Sequence, residues 1–140
     1  MSDLSDWQNT DGKDWNFFTK EELKCRYSNK CLMEDSFMSK LTSLRIKYGK
    51  PMYISSGYRD AKLHPIERAK IRPGAHSMGR AVDVVCFGDK ALMLVKFALQ
   101  EGFTGIGIKQ NGNIEGRFIH LDDINSWELA GFTRPWIWSY

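Results

Sequence analysis

A chain of 140 residues buries about two-thirds of the surface it exposes when unfolded, enough for one core, so a single domain is expected. With 42% hydrophobic, 13% aromatic and 26% charged residues it has the balance of a folded globular protein, which excludes a disordered or fibrous chain. The formal charge of +3 comes from basic residues that are scattered, with no basic helix or stacking motif, so no nucleic-acid partner is expected.

Residues 1–16 read as a polar lead segment in which Trp7 and Trp15 are the only large apolar anchors. The segment is acidic where a secretory signal would be basic and then apolar, and no stretch reaches the length of a membrane span. Synthesis in the cytoplasm without a signal peptide, and no membrane partner, are therefore expected. Three cysteines, Cys25, Cys31 and Cys86, are an odd number without CxxC spacing, which argues against a disulfide framework or a cysteine zinc site.

In FFTKEEL, Thr19 is an N-cap with Glu22 three residues on, and Phe18 and Leu23 flank it as a hydrophobic staple, so a short helix starts at Lys20. From Met33, the residues Phe37, Leu41, Leu44 and Tyr48 recur at helical spacing until Gly49 and Pro51 end the helix. Met52 to Ser55 then form a short strand feeding SGYR. Residues 60–75, with two prolines and many charges, are a long loop with a helical turn, and loops of this length are often functional.

RAVDVVC reads as a strand, and FGDKALMLVKFALQEG as a helix whose buried face would carry Leu92, Val95 and Leu99 before Gly102 stops it. GIGIK and RFIHL flank a turn-rich stretch with Asn111-Gly112 at its tip and are expected to pair as a hairpin. The tail, FTRPWIWSY, is too aromatic to be a solvated end. Its tryptophans, with Trp127 and Tyr140, are read as packing rather than as a sugar platform. Strands and helices without regular βαβ alternation indicate a single α+β domain with a mainly antiparallel central sheet flanked by helices.

The chemistry concentrates around two of the three histidines. His76 precedes one predicted strand by a few residues, His120 lies inside another, and Asp83 lies in the first, seven positions after His76. An aspartate amid Ala81, Val82, Val84 and Val85 is costly to bury unpaired, so it needs a cation, a hydrogen-bonding shell or a metal. One reading pairs it with Arg59 or Arg80. The other joins it to the two imidazoles as three protein ligands of a zinc ion that keeps its fourth position open. His64, beside Pro65, is read as exposed.

HSMGRAVD has the form HxxGxAxD, with SGYR upstream and FIHLD downstream. Together these motifs resemble peptidase family M15, the zinc D-Ala-D-Ala carboxypeptidases and their hedgehog-like relatives, over roughly residues 17–140. The resemblance implies that His76, Asp83 and His120 bind Zn²⁺. It also implies that Arg59 contacts the scissile carbonyl or a substrate carboxylate. The activity implied is cleavage of peptide bonds in peptidoglycan stem peptides, of D-Ala-D-Ala carboxypeptidase or L-Ala-D-Glu endopeptidase type. A monomeric phage endolysin that reaches the cell wall after release, or a virion component, fits this size.

One position departs from the family. Many members place an acidic general base three residues before the last histidine ligand, and here that residue is Arg117, which stays protonated. Asp122 shares strand parity with His120 and is favoured as the base, with service as hydrogen-bond partner of a histidine as its other role. Glu115 is the alternative base, and Asp123 is read as a plain strand-end residue. A non-catalytic zinc-containing binding or virion module on the same fold is the competing expectation.

Overall fold

The computed structural model describes residues 5–6, 17–126, 128 and 132–140. Trp7, Trp15 and Trp127 lie outside them. In chain order the elements are β1 (Ser5–Asp6), α1 (Lys20–Leu23), β2 (Leu32–Met33), α2 (Asp35–Tyr48), β3 (Tyr53–Ser56), α3 (Pro65–Arg68), β4 (Ala81–Val85), α4 (Gly88–Gln100), β5 (Gly105–Lys109), β6 (Phe118–Asp122) and β7 (Trp136–Ser139). A 3-10 turn, Ile114–Gly116, lies between β5 and β6.

The capping box of α1 forms as its sequence predicts: the Thr19 amide donates to Glu22 Oε1 at 2.9 Å and the Glu22 amide to Thr19 Oγ1 at 3.3 Å. α2 ends at Gly49, whose φ of 71° is the left-handed cap that glycine adopts without strain. Its start is later than expected, because Met33 belongs to β2 and pairs with Ser5.

The main sheet has the order β3-β4-β6-β5-β7. Every neighbouring pair is antiparallel except β5 and β7, which run parallel, so the sheet is mixed. Side chains alternate across it, and that alternation decides what each face does. Val82 and Val84 of β4, Ile106 of β5, and Ile119 and Leu121 of β6 join Phe37, Leu41 and Leu44 of α2 and Leu94 of α4 in one buried core. Each such side chain contributes roughly 1.5–3 kcal/mol by leaving water. Asp83, His120, Asp122, Gly105 and Gly107 occupy the alternate positions and so share the opposite face.

α4 turns a different stripe to the core from the one its leucines suggested. Ala91, Leu94 and Ala98 are buried, whereas Leu92 and Leu99 are 70% and 57% exposed. Both stripes satisfy the helical period, one residue (100°) apart, and periodicity cannot choose between them. Close packing on α2 and β6 selects the stripe carrying two alanines.

Asp123 is not a plain strand end. It is buried, with Arg80 donating to its carboxylate at 2.7 Å and to its backbone carbonyl at 2.6 Å, and Lys40 donating at 3.2 Å. Arg80 also donates to Glu128 at 2.7 Å, so its charge serves this network and not Asp83.

Candidate metal centre

His76 enters the site on a tight turn. The Gly79 amide donates to the His76 carbonyl at 3.2 Å, and Gly79 has φ 70°, a conformation that an ordinary residue resists. That turn sends the chain into β4 and brings Asp83 opposite His120 in the β4–β6 register. Upstream of the motif, β3 leads into Gly57, whose carbonyl lies 2.8 Å from His76 Nδ1.

A carbonyl only accepts, so His76 Nδ1 carries the proton and Nε2 presents its lone pair. Nε2 lies 3.4 Å from Asp83 Oδ1. His120 is held the other way round: Nε2 lies 2.7 Å from Asp122 Oδ2, and Nδ1 lies 3.2 Å from Asp83 Oδ1. Both nitrogens thus face carboxylates; with the proton kept at Nε2 by the shorter contact to Asp122, Nδ1 is the atom that would turn its lone pair to a metal. Two imidazole nitrogens and a carboxylate oxygen therefore converge, all within 4.8 Å of one another. This is the one such cluster of His, Cys, Asp and Glu among the described residues.

The donor set fits zinc, which takes imidazole nitrogen and carboxylate oxygen, and each ring's second nitrogen is fixed by an acceptor as zinc-binding histidines require. Burial pushes the His76 pKa down, which favours the neutral ligand form. Burial opposes charging Asp83 too, but hydrogen bonds from His120 and His76 outweigh it and hold the carboxyl well below the usual range. For His120 burial is likewise outweighed, by Asp122 and Asp83, and its pKa lies above the ordinary histidine value.

Two arginines flank the cluster. Arg59 donates from Nε to Ser56 Oγ at 3.0 Å, from Nη1 to Glu67 Oε2 at 3.3 Å and from Nη2 to Asp83 Oδ2 at 3.5 Å. Arg134 grips Asp122 with both arms, Nε to Oδ1 at 2.9 Å and Nη2 to Oδ2 at 2.8 Å. Burial raises the pKa of Asp122, but His120 and Arg134 more than reverse that and keep it ionised. Its side chain is fully buried.

Glycine makes the space for this arrangement. A Cβ on Gly105 would collide with the Asp122 carboxylate, and one on Gly107 would stand 2.6 Å from the Trp138 indole nitrogen. The Trp138 ring in turn lies 4.9 Å from the His120 ring, with the Arg134 guanidinium 5.2 Å from its centroid.

The sequence did not indicate Arg134, Trp138 or Glu67. Arg134 and Trp138 belong to a tail read as packing, and Glu67 to a charged loop. Glu67 is buried and receives hydrogen bonds from the Gly74 amide, Ser77 and Lys70 at 3.0–3.1 Å. Burial works against its charge, yet these donors bring its pKa down to about 2.

Other candidates lie elsewhere. Glu115 is exposed on the 3-10 turn and lines a separate cavity with Tyr48 and Phe87. Arg117 donates to the Gly112 carbonyl at 3.0 and 2.9 Å. His64 caps α3 by accepting from the Ile66 amide at 3.2 Å. Trp136 and Tyr140 are more than half exposed.

The three donors face a cleft of about 440 Å³ whose lining includes Arg59, Glu67, Phe118 and Trp138. A buried His₂Asp donor set opening on a cleft, beside an arginine, has the build of a mononuclear metallohydrolase centre. The peptidase M15 family model matches residues 16–122, and the chain belongs to that family. At family level this makes it a metallopeptidase of the peptidoglycan-active type. No curated protein matches the chain.

Proposed function

We propose that the protein is a zinc-dependent peptidase that hydrolyses an amide bond in peptidoglycan stem peptides, in the manner of a phage endolysin. The observation that carries this reading is the convergence of His76 Nε2, His120 Nδ1 and Asp83 Oδ1 in the cleft, each histidine already oriented by its other nitrogen. When bound there, zinc supplies Lewis acidity: it polarises the scissile carbonyl and brings the pKa of a coordinated water towards ~7.

Arg59 sits beside the cluster with its guanidinium turned towards Asp83, where it would stabilise negative charge developing on the carbonyl oxygen. Asp122 holds the proton of His120 at Nε2, and Arg134 locks Asp122. This geometry favours the orienting role for Asp122 over that of base, because both its oxygens are engaged. No helix among the described residues is long and apolar enough to cross a membrane, in keeping with an enzyme that meets the wall after release.

Digestion of purified peptidoglycan, with mass spectrometry of the products, tests the proposal. New amino- and carboxyl-terminated stem fragments are expected, abolished by chelator and restored by zinc. Carefully prepared protein that holds no zinc and releases nothing would refute it. The occupied carboxylates of Asp122 and Glu67 favour one second reading, a zinc-holding module that binds stem peptides without turnover; zinc-loaded protein that binds muropeptides and leaves them intact would establish it.

A further inference from the structure

The cleft does not end at Arg59. A second cavity, of about 430 Å³, shares Arg59 and Ile66 with it and extends between α1 and β3. β3 is an edge of the sheet and pairs with no further strand among the described residues. Ser55 and Ser56 add hydroxyls to the same wall.

The lining carries three cations, Lys24, Arg26 and Arg59, against two carboxylates, Glu21 and Glu22. Glu21 is paired with Lys24 at 3.0 Å, and Glu22 accepts from the Thr19 amide in the capping box. Arg26 is exposed and has no ion-pair partner among the described residues. His64 adds little positive charge near neutrality, since burial and Arg59 push its pKa down.

Arg59 already faces two carboxylates, Glu67 at 3.3 Å and Asp83 at 3.5 Å, whereas Arg26 faces none among the described residues. Beyond the cluster on the other side, a third cavity of about 390 Å³ shares Phe132, Arg134 and Trp138 with the cleft. Cavities thus adjoin the metal cleft on two sides, one at Arg59 and one at Arg134.

Resting on the peptidase reading above, we propose that the β3 cavity is a substrate subsite in which Arg26 holds a carboxylate of the anionic stem peptide beyond the scissile bond. The enzyme then cuts internal bonds rather than removing a C-terminal residue.

Zinc-loaded ¹⁵N-labelled protein titrated with muropeptides from purified peptidoglycan, and separately with acetyl-D-Ala-D-Ala, tests this. Muropeptides should perturb the amides of Arg26, Ser55 and Ser56. Arg26→Glu should weaken their binding at least fivefold, and more than that of the dipeptide, with zinc content unchanged; Arg26→Ala should lie between. Products should report internal cleavage. Hydrolysis of muropeptides without perturbation at β3, and with no effect of either substitution, would overturn the subsite while leaving the peptidase intact. Perturbation and the Arg26 effect without hydrolysis would uphold the subsite and remove the peptidase reading.

Discussion

Asp122 shows how far one side chain's role depends on its partners. Strand parity places it on the face of His120, but parity does not reveal that Arg134, twelve residues later, binds both its oxygens. If Asp122 orients His120, Asp122→Asn and Arg134→Ala should each weaken zinc binding roughly 10–100-fold, read by competition with a chromophoric chelator. Zinc affinity that stays intact in Asp122→Asn, with kcat lost along with the acidic limb of its pH profile, would instead make Asp122 the base. Glu67 offers a separate test. Its pKa is about 2 in the fold against an ordinary 4.5, so its stabilisation is complete above pH 4.5 and disappears as pH falls through 2. Glu67→Gln should therefore cost about 3 kcal/mol at pH 7 in urea unfolding, and the gap should narrow steadily below pH 4.5.

Among the elements, β4, β5 and β6 were legible because their period-two patterns state both what is buried and what shares the far face. Asp83 and His120 were legible for the same reason, and His76, on the turn before β4, through the motif. Glu67, Arg134 and Trp138 were not, because each reaches the cluster through tertiary packing from a segment whose local pattern is only loop or aromatic tail. The same limit explains α4, where two stripes fit one period. Leu94→Ala should cost about 2–5 kcal/mol, whereas Leu99→Gln should stay within about 0.5 kcal/mol; equal costs would restore the leucine face. Gly107→Ala drives a methyl into the Trp138 indole, so thermal stability should fall and Trp138 fluorescence should change. An unaltered spectrum would mean that β7 yields at no cost.

Across the whole molecule, the sheet separates stability from chemistry. The core lies on the helix side and contains none of the three donors. Chelation should therefore lower Tm while leaving the far-UV circular dichroism intact, and free zinc at 100 times its Kd should stabilise the fold by about 2.7 kcal/mol. Loss of secondary structure on chelation would show the metal to be part of the scaffold. The three cysteines are buried and none is in a disulfide, and burial pushes the Cys86 thiol up to about 11, so thiol labelling should follow global unfolding and be slow in the native state.

The parallel pairing of β7 with β5 bears on the order of assembly. All three donors have been synthesised by His120, but the clamp on Asp122 and the indole against His120 arrive only with Arg134 and Trp138, after the chain has crossed from β6 to the far edge of the sheet. A nascent chain that has passed His120 but not reached Arg134 and Trp138 carries every donor and cannot yet lock the His120 ring. β7 is thus the strand that arms the centre.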